Sequence, residues 1–549
     1  MRNLRWRASA SLTVLALLVS ACGATSQSLE PSDEQQSNAP SQAAEAQPLV
    51  VAVAATPETI DSEFGVAPAA WDLEVTLYEH LVAYNYEPDA DGVGIPQLDG
   101  EFQPRLAESW SYSDDGLTLT FKLREGVMSE YGNELTSEDV LWSWQRPFNV
   151  EGTGQWMFTS SGVTGEDGIR AVDKYTIELD LKAPSELFLH NQSILNSPSI
   201  MDSTEVKKHA TEDDPWATEW LSTHSASFGP YRLVTFTPGQ EVVLETNPNY
   251  WDTPPLVSPI TLREVPSSAT RMQLLRDGTV HVAKDLNARE RQELADADGV
   301  RIVNIKGNTN VIFGLNNDVA PLDNPLVRQA IAYAAPVDDI IETVYLDDPA
   351  ARLLPGYTPE NYPGHVDYFP YYPTDLDKAR ELMEEADQGP FTMELVFNSD
   401  VQDHEQVGIL IQTQLAEIGI DVVLRNLPSA AYQEAFFGGT AQSVLVQDAI
   451  WNADPAYGLN LYFSQGEISH ANWINYDNPE ASALIEEATN ALDPEEKVAL
   501  AHEAYELIVD EAPWAFAIGT GFQLAMRDDL QGFNWKTSNL LDLSDLYFD

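Results

Sequence analysis

The sequence predicts an α/β protein of at least two domains, and three observations predict it. After an unusual N-terminal segment, about 500 residues remain, more than one hydrophobic core organises, so the chain divides. Helical stretches such as 374–385 and 407–417 alternate with apolar strands such as 421–424, the pattern of partly parallel sheets covered by helices. Apolar residues make up 43% and aromatic residues 10% of the chain, a globular rather than a disordered composition.

The N-terminal segment is read first. Arg2, Arg5 and Arg7 precede an uncharged stretch from Ala8 to Ala21, which ends in Leu18-Val19-Ser20-Ala21-Cys22-Gly23. A basic end, an apolar middle and small residues at the cut site make a secretory signal. The apolar part falls short of the roughly 20 residues a membrane-spanning helix needs. Cys22 is the single cysteine of the chain, so no intramolecular disulfide can form. The small residues before it resemble the lipobox of bacterial lipoproteins. That resemblance implies a signal peptide over 1–22 and a diacylglycerol on the Cys22 thiol, which becomes the new N-terminus. The alternative is a plain signal peptide with an incidental cysteine. Residues 23–47 are Ser, Gln, Ala, Glu and Pro with almost no apolar bulk, which suits a disordered tether. The folded part is expected to start near Pro48, where Leu49-Val50-Val51-Ala52-Val53 makes a first buried strand.

Charge narrows the partners. The chain carries 87 acidic and 29 basic residues, a formal net charge of −58. Nucleic acid and anionic lipid surfaces are repelled by such a molecule, and contact with the membrane is expected only through the lipid anchor. The acidity fits solubility or a saline habitat better than a ligand.

Catalytic signatures are missing from the sequence. The nine His are scattered, with no HExxH and no pair at metal-ligand helical spacing. A Walker loop, a GxGxxG turn after a strand and a GxSxG elbow are all absent. Paired Asp or Glu carry little signal in a chain this acidic. No enzyme activity, no cofactor and no metal is expected.

The chain does contain a series of segments in a definite order. Pro104-Arg105-Leu106-Ala107-Glu108-Ser109-Trp110 leads through the turn Ser113-Asp114-Asp115-Gly116 into Leu117 to Arg124, which alternates as a strand. Leu135-Thr136-Ser137-Glu138-Asp139-Val140 opens a helix, with Thr136 and Asp139 spaced as a capping box, and the helix carries Trp142, Trp144 and Arg146. This block resembles the signature region of the family 5 bacterial extracellular solute-binding proteins, the oligopeptide- and dipeptide-binding type. Further segments are similar to that family along nearly the whole mature chain. They include Tyr78-Glu79-His80-Leu81, with His80 where Gly is usual, Phe228-Gly229-Pro230-Tyr231 and Asn247-Pro248-Asn249-Tyr250-Trp251. The stretch from Arg271 to Val282 is also similar, with His281 in place of an acid. Then come Pro321-Leu322-Asp323 with Val327-Arg328-Gln329-Ala330-Ile331, and Tyr476-Asp477-Asn478-Pro479-Glu480.

The resemblance implies a two-lobed periplasmic-binding-protein fold of type II (Venus-flytrap), with a hinge between the lobes and an additional small domain. Lobe 1 is expected over 48–100, 199–306 and 517–549, the small domain over 101–198, and lobe 2 over 307–516. It also implies the substrate-binding component of an ABC transporter, a monomer held at the outer face of the cell membrane. Such a receptor captures a small solute between its lobes and delivers it to permease subunits driven by a separate ATPase. A short peptide or similar amine-bearing solute is the first expectation for the ligand, and an oligosaccharide the second. A secreted hydrolase is the alternative from another class.

The ligand candidates follow from Asp448-Ala449-Ile450-Trp451-Asn452-Ala453-Asp454-Pro455. In peptide-binding members the matching strand and turn reads W-x-x-D, and its Asp takes the peptide α-ammonium. Trp451 and Asp454 keep that spacing. A partly dehydrated carboxylate favours a cation through charge-assisted hydrogen bonds. Asp454 before Pro455 also suits an Asx-type turn, and both roles can hold at once. Tyr457, with Tyr462, Phe463 and Trp473, offers aromatic walls for a ligand or, as single residues, core. Where some members carry a basic residue before the Trp, this chain has Asp448. His404, expected in a loop after Phe397-Asn398-Ser399-Asp400, is the candidate for basic help. The proximity of Asp448 to Asp454 leads to the expectation of a cationic or carboxylate-free ligand.

Overall fold

The structure is a computed structural model. It describes residues 46–65, 68–98, 100–150, 152, 154–194, 199–354, 358–359, 362–365, 372–399, 401, 403–465, 472–491 and 493–549. Cys22, the expected signal segment, the expected tether as far as residue 45 and Asp400 lie outside the described residues.

The apolar run at the start of the folded part is the strand Gln47–Val53, with Leu49, Val51 and Ala52 fully buried. It occupies the middle of a seven-stranded sheet ordered Tyr231–Thr237, Glu241–Thr246, Val257–Glu264, Gln47–Val53, Val282–Ala283, Phe522–Arg527, Val300–Ile305. Both of its neighbours run parallel to it, which is why its sequence is apolar on both faces. This sheet forms the first lobe.

The second lobe is built on six strands ordered Arg352–Leu353, Trp514–Gly519, Thr309–Leu315, Ser443–Ala449, Phe391–Asn398, Ile420–Leu427. Phe391–Asn398 is parallel to both of its neighbours, and the helix His404–Leu415 makes the crossover to Ile420–Leu427. The helix Leu376–Glu385 begins where Asp375 caps it, its carboxylate accepting the N–H groups of Asp377 and Lys378 at 3.0 and 2.9 Å.

Four antiparallel strands, Ala107–Tyr112, Thr118–Leu123, Thr176–Asp180 and Ile169–Asp173, make a separate small sheet. Against it packs the helix Ser137–Asn149. The Thr136 N–H donates to Asp139 Oδ2 at 2.8 Å, the capping box read from the sequence. Trp144 enters the core of this sheet, while Arg146 pairs with Asp61 of the first lobe.

Two segments, 306–308 and 520–521, connect the large sheets. They run side by side, because Ile305 pairs with Phe522 and Asn310 with Gly519. The Thr520 N–H donates to the Thr309 carbonyl at 2.9 Å. Gly521 has φ +67°, and a Cβ there would lie 2.4 Å from the Ile305 carbonyl oxygen, so only glycine fits. A double crossing of this kind is a hinge.

Candidate functional site

Past the strand Ser443–Ala449 the chain leaves the sheet at the hinge, and Asn308 fixes the exit. Its Nδ2 donates to the Ile450 carbonyl at 2.6 Å, and its Oδ1 accepts from Asn539 Nδ2 of the C-terminal tail at 2.8 Å. Residues 450–454 then meet distant parts of the chain at two points. The Trp451 ring meets Trp71 of the helix Pro68–Leu77 edge to face, with centroids 6.0 Å apart. Asn452, fully buried, donates from Nδ2 to Asn191 Oδ1 at 2.9 Å. Asn191 belongs to the helix Leu187–Ser193.

Asp454 makes the turn expected of it, Oδ1 accepting the Ala456 N–H at 2.8 Å. Its Oδ2 forms an ion pair with Lys497 of the helix Pro494–Asp510. His190 is close enough to feel the Asp454 carboxylate, and its Nδ1 lies 2.8 Å from the Tyr84 hydroxyl. Burial pushes His190 down to about 4 against the opposing pull of the Asp454 carboxylate, so its ring is neutral at physiological pH.

The other candidates are placed differently. Asp448 is on the strand Ser443–Ala449, where its carboxylate accepts from the Tyr462 hydroxyl and from the Ala449 N–H at 2.7 Å. Burial raises it to about 6. Tyr457 opens the helix Tyr457–Phe463 and is 2% exposed, its hydroxyl having no partner among the described residues. With Tyr462, Phe463 and Trp473 it belongs to one buried core cluster of the second lobe. His404 requires a correction. It is the first residue of the helix His404–Leu415, 1% exposed and against Phe397, rather than part of a solvated loop. Burial holds it at about 4, uncharged at physiological pH. The apolar face of the helix extends to its first turn and draws the ring inward, which removes the basic help expected from it.

Sequence reasoning missed Trp71, His190, Asn191 and Lys497, which the fold brings to residues 450–454 from distant parts of the chain. Only Asn452, inside the W-x-x-D run, was within reach of a local reading. Among the described residues no group of three or more His, Cys, Asp or Glu is arranged to hold a metal ion.

Residues 101–470 match the profile of bacterial extracellular solute-binding proteins, family 5. The chain belongs to that family. The probable D,D-dipeptide-binding periplasmic protein DdpA of Escherichia coli is 24% identical over 486 residues, which cover 88% of this chain and 91% of that protein. The oligopeptide-binding protein AppA of Bacillus subtilis is 24% identical, covering 95% of both chains. Among solved structures, the periplasmic binding protein DppA of Helicobacter pylori in complex with the peptide STSA superposes with a TM-score of 0.77 at 25% identity. That match covers 91% of this chain and 98% of the other. The two sheets and their double hinge are therefore the lobes of a type II periplasmic-binding fold. As a family 5 member the chain is a transport receptor, not an enzyme, and acts outside the cytoplasm. Among the described residues no helix is long and apolar enough to cross a membrane.

Proposed function

We propose that this family 5 receptor is the substrate-binding component of an ABC importer, anchored through diacylglycerol on Cys22, and that it captures short peptides or similar amine-bearing solutes. The observation that carries the reading is the position of residues 450–454. A ligand beside them would reach more than one part of the fold, since Trp451 lies against Trp71 of the first lobe, Asn452 on Asn191 of the helix Leu187–Ser193, and Asp454 within electrostatic reach of His190. A ligand bound there makes contacts that the open form lacks, and its differential affinity drives closure. The closed receptor then presents itself to the permease, and the lipid tether raises its local concentration there. The names of the relatives support a peptide as the cargo.

Thermal denaturation of the mature chain with peptides of two to six residues, and with a panel of oligosaccharides, tests this. A ligand that binds the folded state alone raises Tm with its concentration over Kd. Stabilisation by free but not N-acetylated peptides is the expected result. Stabilisation by sugars alone would move the receptor to the carbohydrate branch, with Trp451 as a stacking surface. For the anchor, cells fed a labelled fatty acid should incorporate it into the wild type and not into Cys22→Ser; equal labelling would remove Cys22 from that role.

A further inference from the structure

Asp454 is not a bare carboxylate waiting for a cation. Lys497 already pairs with it, in a partly enclosed place where the two side chains are 17% and 13% exposed. A ligand ammonium that approaches Asp454 therefore meets a second cation. Were it to settle beside Lys497, two like charges would share one carboxylate in a partly desolvated place. Were it to displace Lys497, the lysine would lose the acid it pairs with among the described residues, and an unpaired ammonium in such a place is costly. His190, neutral here, cannot bring an anion, and Asp448 is buried on its own strand, its carboxylate held by the Tyr462 hydroxyl and the Ala449 N–H. A ligand that brings its own anion resolves the conflict.

We infer that Lys497 is a specificity-determining residue that exchanges partners: on binding it releases Asp454 to the ligand ammonium and takes the ligand carboxylate. The inference rests on the assignment of Asp454 to the ammonium. It replaces the expectation of a cationic or carboxylate-free ligand with a zwitterion whose two charged ends reach a single ion pair. An extended peptide spans at most about 3.5 Å per residue, and the flexible lysine stem can follow a carboxylate only a short way. The preferred class is therefore peptides of two or three residues, above longer ones.

The test titrates the mature chain with trialanine, trialanine amide, N-acetyltrialanine and hexaalanine, using wild type, Lys497→Met and Lys497→Arg. Wild type is expected to bind trialanine at least tenfold more tightly than its amide, and more tightly than hexaalanine. In Lys497→Met the acid-to-amide ratio should fall to within about twofold, and Lys497→Arg should retain it. A lysine that only steadied Asp454 would weaken acid and amide alike, so an unchanged ratio in Lys497→Met overturns the inference. Equal binding of acid and amide by wild type, or tighter binding of hexaalanine, overturns it without any variant. Should Lys497→Met fail to fold, Lys497→Gln and the wild-type ratio decide. Loss of discrimination against N-acetyltrialanine instead removes the ammonium assignment of Asp454, and no binding by any of the probes removes the peptide reading, and this inference falls with either.

Discussion

Arg146 and Lys497 each neutralise an aspartate inside the molecule, yet their surroundings differ. Arg146 bonds Asp61 through two nitrogens at 2.7 and 2.5 Å, and both side chains are essentially out of solvent. The rest of its fork is used as well, on the Thr218 hydroxyl at 3.2 Å and the Trp216 carbonyl at 3.3 Å. A planar guanidinium with its donors satisfied joins the small domain to the first lobe and has no reason to let go. Lys497 is a point charge on a flexible stem, and its pair with Asp454 is less fully enclosed, the side chains being 17% and 13% exposed. The same opposite charges thus make a fixed strut in one place and an exchangeable pair in the other, and the difference lies in donor geometry and enclosure.

The largest effect expected from breaking this contrast is on the strut. Arg146→Met leaves Asp61 buried and unpaired, next to Glu63 and Glu74, and should cost about 3–5 kcal/mol of stability, read as a lower denaturation midpoint. A loss no larger than that of Lys497→Met would show that the two pairs are equivalent.

Glu63 sharpens the comparison from the acid side. Burial raises it to about 7 despite Arg146 and the Gly154 N–H at 2.9 Å. Folded Glu63 therefore holds its proton at pH values where the unfolded carboxyl, near 4.5, has lost it. The folded state binds more protons in that window, so stability falls as pH rises from about 4.5 through 7. Glu63→Gln should match wild type near pH 5 and exceed it by about 1–3 kcal/mol at pH 8. Parallel stability–pH curves for the two proteins would contradict this.

Asp454→Asn should cost some stability, because it leaves Lys497 without its carboxylate, and should weaken an amine-bearing peptide at least tenfold, about 1.4 kcal/mol, by calorimetric titration. Unchanged affinity would take Asp454 out of the site. The smallest effect is expected at Trp71→Ala, which removes one edge-to-face contact worth about 0.5–1.5 kcal/mol across the cleft. Peptide affinity should fall by a factor of about 2–10 through poorer closure, with Tm of the free receptor little altered.

The parts of the fold that a sequence displays are those decided locally. The Thr136–Asp139 cap spans three residues, and the alternation that ends in the strand Thr118–Leu123 needs only its own period. The cleft is another matter. Asp61 and Arg146 are 85 residues apart, and Asp454 and Lys497 are 43 apart, so nothing local signals either pairing. The turn at Asp454 was legible because a turn and its carboxylate are adjacent in the chain. His404 misled because the polar run before it read as a loop, while burial of its ring was set by Phe397 and the helix packing around it.

Backbone hydrogen exchange of the mature chain, with and without saturating trialanine, tests most directly that the cargo is held between the lobes. New protection is expected on both sides at once, in residues 450–456 of the second lobe and in the helices Pro68–Leu77 and Leu187–Ser193. Protection confined to one lobe, or to a surface away from residues 450–456, would contradict it.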